Sequence, residues 1–328
     1  MIAPAGGSRG LTTLVLLACL LVAGLCAPML APYDPDEIVD VAAARYLPPG
    51  SALFLFTLRD GRNLAVDSFV FRDDLLVYRR GGAEGSIPAD AVGQRLPATR
   101  RFLLGTDNLG RDLLSRMLRG ARVSLGVGLL AVALGIALGA GMGALCGYAG
   151  GFADAVLMRL VDILQSIPRF FLFVICAALF GPSALLLVLV LGATGWMGIA
   201  RLTRGQALSI RHRSFVEAAR ALGGGAGSIV LRHLLPQCAA PLTVASALLA
   251  ADTILAEASL SFLGIGIQPP TASWGNIIAG GRDSLLTAWW ITAFPGLAIM
   301  ATVLLLHAAG RWLTAPDSAG GAQTALLD

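Results

Sequence analysis

Six apolar runs, separated by polar segments of unequal length, organise the chain. They are Leu11 to Leu30, Val123–Tyr148, Ala155–Phe180, Ser183–Ala200, Leu242–Phe262 and Ala288–Leu313. Each reaches, or nearly reaches, the ~20 residues that a helix needs to cross a hydrocarbon core of about 30 Å. Pro168 interrupts the third run, which predicts a kink or unwound segment covered by neighbouring helices. In the second run Gly135, Gly139, Gly143 and Gly147 recur every four residues and share one helical face. A neighbouring backbone can approach such a face closely, and packing within one bundle accounts for the stripe. The first run has a rival reading as a cleavable signal peptide, since Ala27 precedes Pro28. Its apolar stretch exceeds the roughly 7–15 residues of a signal core, which favours a retained anchor.

The long segment from Ala31 to about Arg119 differs in kind. Pro32, Pro35, Pro48 and Pro49 punctuate its start, and half of all the arginines fall within it. Leu53–Leu58 and Leu64–Phe71 flank Asp60-Gly61, a β-turn signal. A third short run, Leu75–Tyr78, ends at Arg79-Arg80-Gly81-Gly82. The pattern predicts an all-α membrane protein of six transmembrane helices, with a small β-rich insertion between helices 1 and 2.

Composition sharpens this picture. Of 328 residues, 56% are hydrophobic and 13% charged, against roughly 25% charged in an average soluble domain. A water-soluble globule is nearly excluded. The 24 basic residues are all arginine, so a Schiff-base lysine and a G-x-x-x-x-G-K-[ST] phosphate loop are both excluded. The net charge of +4 follows from arginines flanking membrane spans, and no nucleic-acid partner is expected. Five cysteines lie in or beside apolar runs without metal-ligand spacing, so they read as small core hydrophobes and no metal is expected.

Charge also orients the chain. Between the fourth and fifth runs lie Arg201, Arg204, Arg211, Arg213, Arg220 and Arg232 against one acid, Glu217, whereas Arg282 and Asp283 are alone between the fifth and sixth. The positive-inside rule counts short loops and discounts long ones. It places 201–237 and both termini in the cytoplasm, and the Ala31–Arg119 segment outside. Trp289, Trp290 and Trp312 bracket the sixth run as expected interfacial anchors.

Catalytic chemistry is not apparent. The chain has no H-E-x-x-H, no G-x-S-x-G and no Ser/His pairing at recognisable spacing, so the function expected is not an enzyme's and no cofactor is expected on this chain. Asp252 and Glu257 lie in or at the end of the fifth run, followed by Ser261 and Phe262. An acid at membrane depth is costly and usually faces a cavity or a partner. These four are the candidates for a translocation pathway or gate, the alternative for Glu257 being a helix-end carboxylate bonded to nearby backbone. Arg159 and Asp162, three apart, are expected to pair on one helical face.

The 201–237 loop carries the most information. It reads Glu217-Ala218-Ala219-Arg220-Ala221-Leu222-Gly223, continues through further glycines, and closes with His233-Leu234-Leu235-Pro236. This predicts a short helix of small residues stopped by glycine, then a second helix ended by proline. A compact knob with a charged edge suits docking in another protein's groove. The E-A-A…G…L-P pattern resembles the signature of inner-membrane permeases of binding-protein-dependent ABC importers. Leu104-Gly105-Thr106-Asp107-Asn108-Leu109-Gly110-Arg111-Asp112, running on to Ser115-Arg116, resembles the segment before the second span in the dipeptide/oligopeptide/nickel subgroup. Glu257 to Gly264, with Pro269-Pro270 and Trp274-Gly275, resembles that subgroup's fifth span and following loop, and Ala31 to Pro35 the second permease of each pair. His233 also looks like this subgroup.

The resemblance implies that Glu217, Ala218, Ala219, Gly223, His233, Leu235 and Pro236 form a loop that couples to a separate ATPase. It implies that Gly105, Thr106, Asp107, Gly110, Arg111 and Asp112 form an extracytoplasmic motif before helix 2. The implied organisation is 1–31 for the tail and first span, 32–104 for the extracytoplasmic segment, 105–313 for a five-helix permease core, and 314–328 for a cytoplasmic tail. The implied function is a multi-pass permease subunit of an ATP-driven importer in a bacterial cytoplasmic membrane, for peptides first, with nickel or another small solute as alternatives. Its partners would be a homologous second permease, ABC ATPase subunits that bind ATP and Mg, an extracytoplasmic substrate-binding protein and membrane lipid. The 50–103 insertion departs from the subgroup. An ATP-independent carrier or channel is the rival class, and it predicts inverted internal repeats that the sequence does not display.

Overall fold

The computed structural model describes residues 6–94 and 96–314. In chain order, α1 (Gly6–Leu25) is followed by the short helices Ala27–Leu30 and Val41–Ala44. Six strands come next: β1 (Ser51–Thr57), β2 (Asn63–Val66), β3 (Ser68–Arg72), β4 (Leu75–Arg80), β5 (Ala83–Pro88) and β6 (Ala98–Phe102). The remaining helices are α2 (Leu113–Ala149), α3 (Gly151–Gln165), α4 (Arg169–Phe180), α5 (Ala184–Ile210), α6 (Ser214–Ala221), α7 (Ala239–Phe262), α8 (Trp274–Gly280) and α9 (Trp290–Thr314). Beyond Thr314 the expected tail lies outside the described residues, as do residues 1–5.

Helices α2, α5, α7 and α9 are long and apolar enough to cross a membrane, and α3 with α4 makes a fifth span if the pair is counted as one. That pair bends by 76° at Ser166-Ile167-Pro168, so the proline expected to kink the third run divides it into two helices. The described apolar part of the first helix, Thr12–Leu25, is shorter.

Two compact units make up the chain, one built chiefly of Leu125–Glu257 and the other of Leu21–Ser124 with Ala258–Ile299. In the first, the glycine stripe of α2 meets α5. A Cβ added at Gly139, Gly143 or Gly147 would come within 3.0 Å of the carbonyl oxygen of Trp196, Ala200 or Arg204 respectively. Only glycine permits that approach, so the stripe is bundle packing. Helix α5 runs ten residues past Ala200 because its charges are matched. Arg204 holds Asp154 of α3 through two hydrogen bonds, Nε to Oδ1 and Nη2 to Oδ2, and Arg201 donates to Asp162 at 2.8 Å. The expected Arg159–Asp162 pair is therefore corrected: a partner on a crossing helix takes the carboxylate.

In the second unit, strands form two antiparallel three-stranded sheets, ordered β2-β1-β6 and β3-β4-β5. Phe56, Leu64, Val66, Leu76 and Val92 make a buried core between them, edged by Phe69 and Phe71. Phe56 and Phe69 meet edge-to-face, with centroids 4.9 Å apart. Gly61 takes a left-handed φ of 84° in the expected Asp60-Gly61 turn, and Asp73-Asp74, at 45° and 61°, turn β3 into β4. The single expected run Leu64–Phe71 divides at Asp67, whose Oδ2 accepts the Gly81 N–H at 2.7 Å. Strands β5 and β6 carry few buried apolar side chains and join by pairing with β4 and β1.

Candidate functional site

The end of α5 at Ile210 leads into residues 211–237, which pack into a knob. Val216 of α6 packs with Ile229, Leu234 and Cys238 against Ala207 and Ile210 of α5, all buried. Helix α6 ends in a Schellman turn: the Gly223 N–H donates to Arg220 O and the Gly224 N–H to Ala219 O, each at 3.0 Å. Gly223 has φ of 83°, a left-handed conformation that glycine adopts without steric cost. A Cβ at Gly224 would stand 2.7 Å from Ala219 O, so two consecutive glycines are needed to turn the chain there. Arg220 ties α6 to the end of α2, its Nε donating to the Tyr148 hydroxyl at 3.3 Å with the guanidinium 5.2 Å from the ring centre.

The opposite side of the knob faces outward. Glu217, Ala218, Gly223 and Pro236 are exposed, and Ala219, His233 and Leu235 half-buried. The His233 ring lies 6.4 Å from Phe215. Leu222 is 90% exposed at the tip; sequence reasoning passed over it, although an apolar residue directly before a glycine cluster was the available signal. The expectation that Pro236 ends a helix is corrected. The chain stays helical from Ala226 through a π turn, Val230–Leu234, in which the Leu235 N–H reaches back to Val230 O. Pro236 lies in the helical turn Leu235–Gln237 that follows, and α7 starts at Ala239.

The Gly105–Asp112 motif folds quite differently, into the interior of the second unit. Asp107 Oδ1 accepts the N–H groups of Leu109 and Arg111 at 2.9 and 3.0 Å, and its Oδ2 accepts Arg111 Nε at 2.7 Å. Arg116 Nε lies 3.4 Å from the same oxygen. Thr106 donates to Ala44 O and accepts the Leu47 N–H at 2.8 Å, while Trp290 Nε1 donates to Thr106 O at 3.2 Å. Trp290 is thus a buried clamp, a correction to its expected interfacial role, while Trp289 beside it is exposed. Gly105 and Gly110 have φ of 81° and 77°, and a Cβ on either would strike Leu47 O or Ala44.

Asp112 starts α2 ten residues before the expected span. It accepts the Ser115 N–H and hydroxyl on Oδ2 at 2.7 and 2.6 Å, the geometry of a helix N-cap. Burial pushes its carboxyl above the ordinary value, and the two Ser115 bonds only partly oppose this. Arg116, buried between Asp107 and Asp36, is the member of this network that the sequence did not single out.

The four pathway candidates do not form one cluster. Glu257 is fully buried and Asp252 exposed; five positions apart, they face different sides of α7. Ser261 accepts the Ile267 N–H at 3.0 Å, fixing the turn after α7, and Phe262 is 38% exposed.

Residues 135–315 match the family described as binding-protein-dependent transport system inner membrane component. The match takes in more than half of the chain, which therefore belongs to that family. It is a multi-pass membrane permease component of a transport system that works with a separate binding protein. Among its relatives are the di/tripeptide transport system permease protein DppC of Pseudomonas aeruginosa, 38% identical over 213 residues (65% of this chain, 70% of the relative). A putative peptide transport system permease protein of Brucella suis is 44% identical over 230 residues (70% and 77%). The oligopeptide transport system permease protein OppC of Escherichia coli K12 is 43% identical over 209 residues (64% and 69%). Among solved structures, an inward-facing form of the MetNI methionine ABC transporter aligns with a TM-score of 0.49 and 22% identity, over 60% of this chain and 93% of that one. The strands between Ser51 and Phe102 lie outside the family match.

Proposed function

We propose that the chain forms half of the translocation pore of an ATP-driven peptide importer in a bacterial cytoplasmic membrane, paired with a homologous second permease. The observation that carries this reading is the knob at Glu217–Pro236: its backbone is fixed by buried Val216, Ile229 and Leu234, while Glu217, Ala218 and Leu222 are left facing outward. A chain without a nucleotide-binding motif needs its energy from elsewhere, and such a knob is suited to receive it from ABC ATPase subunits that bind ATP and Mg.

Peptides are the substrate class because the relatives are named for di/tripeptide, oligopeptide and other peptide transport. Six spans with both termini inside follow from the run lengths and the arginine-rich 201–237 loop. In this topology the 32–104 segment, with its strands, is extracytoplasmic and faces the binding protein, 105–313 is the permease core and 314–328 a cytoplasmic tail. Closure of the ATPase dimer would move the knob and switch the pore from inward- to outward-facing, a rigid-body transition. Glu257 is the pathway candidate retained, because it is a fully buried acid in a spanning helix.

The test is capture of the ATPase by the tagged, detergent-solubilised chain, comparing wild type with Glu217→Arg plus Gly223→Trp. Co-purification of an ATP-hydrolysing subunit, lost in the double variant, is the expected result. Transport by the chain alone in vesicles, without such a subunit, would replace this reading with that of an ATP-independent carrier. Uptake of nickel rather than peptide by the intact complex would change only the substrate.

A further inference from the structure

A hollow of about 390 Å³ opens where the first helix ends and α2 begins, with Pro28, Pro32, Tyr33, Asp34 and Arg119 among its walls. Its frame is fixed. The Tyr33 N–H donates to Ser115 Oγ at 3.2 Å, the Tyr33 hydroxyl bonds the backbone of Arg101, and the Arg100 guanidinium lies 5.0 Å from the Tyr33 ring centre. Asp34 Oδ1 accepts the Asp36 N–H at 2.9 Å, which sets the direction of its carboxylate. Arg116, one turn before Arg119, is buried and held by two carboxylates. Arg119 is exposed and has no ion-pair partner among the described residues.

One cation and one fixed carboxylate thus share a preformed hollow. Beside it the chain presents an apolar strip to the outside, with Leu25 72%, Met29 87% and Leu30 54% exposed. In a membrane chain whose first apolar run ends at Leu30, this strip meets acyl chains and the hollow lies at headgroup depth. A ligand that carries phosphate, ammonium and two apolar tails satisfies all three features. Guanidinium recognises phosphate through charge-assisted hydrogen bonds, and a primary ammonium supplies three donors for a carboxylate.

We propose that this hollow binds the headgroup of a zwitterionic phospholipid with a primary ammonium group, its phosphate on Arg119, its ammonium on Asp34, and its chains along Leu25, Met29 and Leu30. The inference rests on the membrane-spanning reading and not on the identity of the transported solute. A bound lipid would wedge the proline-rich turn after the first helix against the start of α2.

Native mass spectrometry of the full chain, released from nanodiscs of equimolar phosphatidylethanolamine, phosphatidylcholine and phosphatidylglycerol, tests it. Retention of phosphatidylethanolamine over the other two is expected by roughly tenfold, the scale of one charge-assisted hydrogen bond. Arg119→Gln should abolish retention of all three, and Arg119→Lys should restore part of it. Asp34→Asn should leave phosphate-dependent retention but erase the preference over phosphatidylcholine, whose ammonium has no proton to donate. Arg122→Gln, an exposed arginine outside the hollow, should change nothing. Equal retention of the three lipids by wild type, or retention unaltered by Arg119→Gln, would overturn the proposal. Displacement of lipid by soluble phosphoethanolamine, with no dependence on acyl chains, would overturn the lipid assignment in favour of a free phosphate compound. ATPase capture measured on the same samples separates this outcome from that of the coupling knob, since lipid retention does not require it.

Discussion

The 104–116 segment and the 214–236 loop are both short, rich in small and charged residues, and dense in glycine at turns, yet they use these residues in opposite ways. In the first, Thr106, Asp107, Arg111, Asp112 and Arg116 are all buried, and their polar atoms bind one another and the backbone around Ala44 and Leu47. In the second, the backbone is pinned from below and Glu217, Ala218 and Leu222 are exposed. Buried charge held by neighbouring side chains and backbone keeps a shape, although one oxygen of Asp112, Oδ1, has no hydrogen-bond partner among the described residues. Exposed charge on a fixed backbone offers a shape. The first segment is built as a scaffold, and the second leaves an exposed face, the one proposed above as a docking surface.

Substitutions should separate the two roles. Asp107→Ala leaves the buried Arg111 and Arg116 without their shared carboxylate, and breaking a buried pair from one side costs about 3–5 kcal/mol. Thermal unfolding of the detergent-solubilised chain should show that loss, while the fraction that folds still captures the ATPase. Gly223→Ala forces a side chain into a left-handed backbone at about 1–2 kcal/mol; both unfolding and capture should weaken, because the Schellman turn sets the direction of α6.

Asp112→Asn gives a smaller, pH-dependent change. Because burial raises the Asp112 carboxyl in the folded state, its contribution favours folding below the unfolded value and is lost as pH rises through the folded one. The asparagine variant should therefore unfold later than wild type at neutral pH, and the gap should close on acidification. Glu217→Gln should change stability by less than about 0.5 kcal/mol, the usual range for a surface position, yet reduce ATPase capture. A stability loss at Glu217 as large as that at Asp107 would end the distinction between scaffold and docking surface.

Much of the fold was legible because long apolar runs have few alternatives. The runs at 123–148, 183–200, 242–262 and 288–313 each fall on a helix long and apolar enough to cross a membrane, and the Asp60-Gly61 turn stands where the dipeptide predicts it. What was not legible depends on partners distant in sequence. Asp162 has Arg159 three residues away but bonds Arg201. Trp290 reads as an interfacial aromatic until Thr106 O is placed beneath its indole N–H. Strand β6 shows one buried apolar side chain, Phe102, and is recruited by β1. The start of α2 at Leu113 was carried by a cap, Asp112, that hydrophobicity does not see. In the 214–236 loop, the motif drew attention to Glu217 and Gly223, while the exposed tip residue Leu222 and the tether from Arg220 to Tyr148 emerge only from the fold.

The glycine stripe of α2 bears on how force passes through the first unit. Side chains packed against side chains can slip by a change of rotamer; backbone against backbone has no such give. From Gly139 to Gly147, α2 and α5 are therefore a single bar rather than two rods in contact. The far end of α5 at Ile210 is buried with Val216 and Leu234 of the knob, so a displacement of the knob is delivered to that bar with almost no backlash.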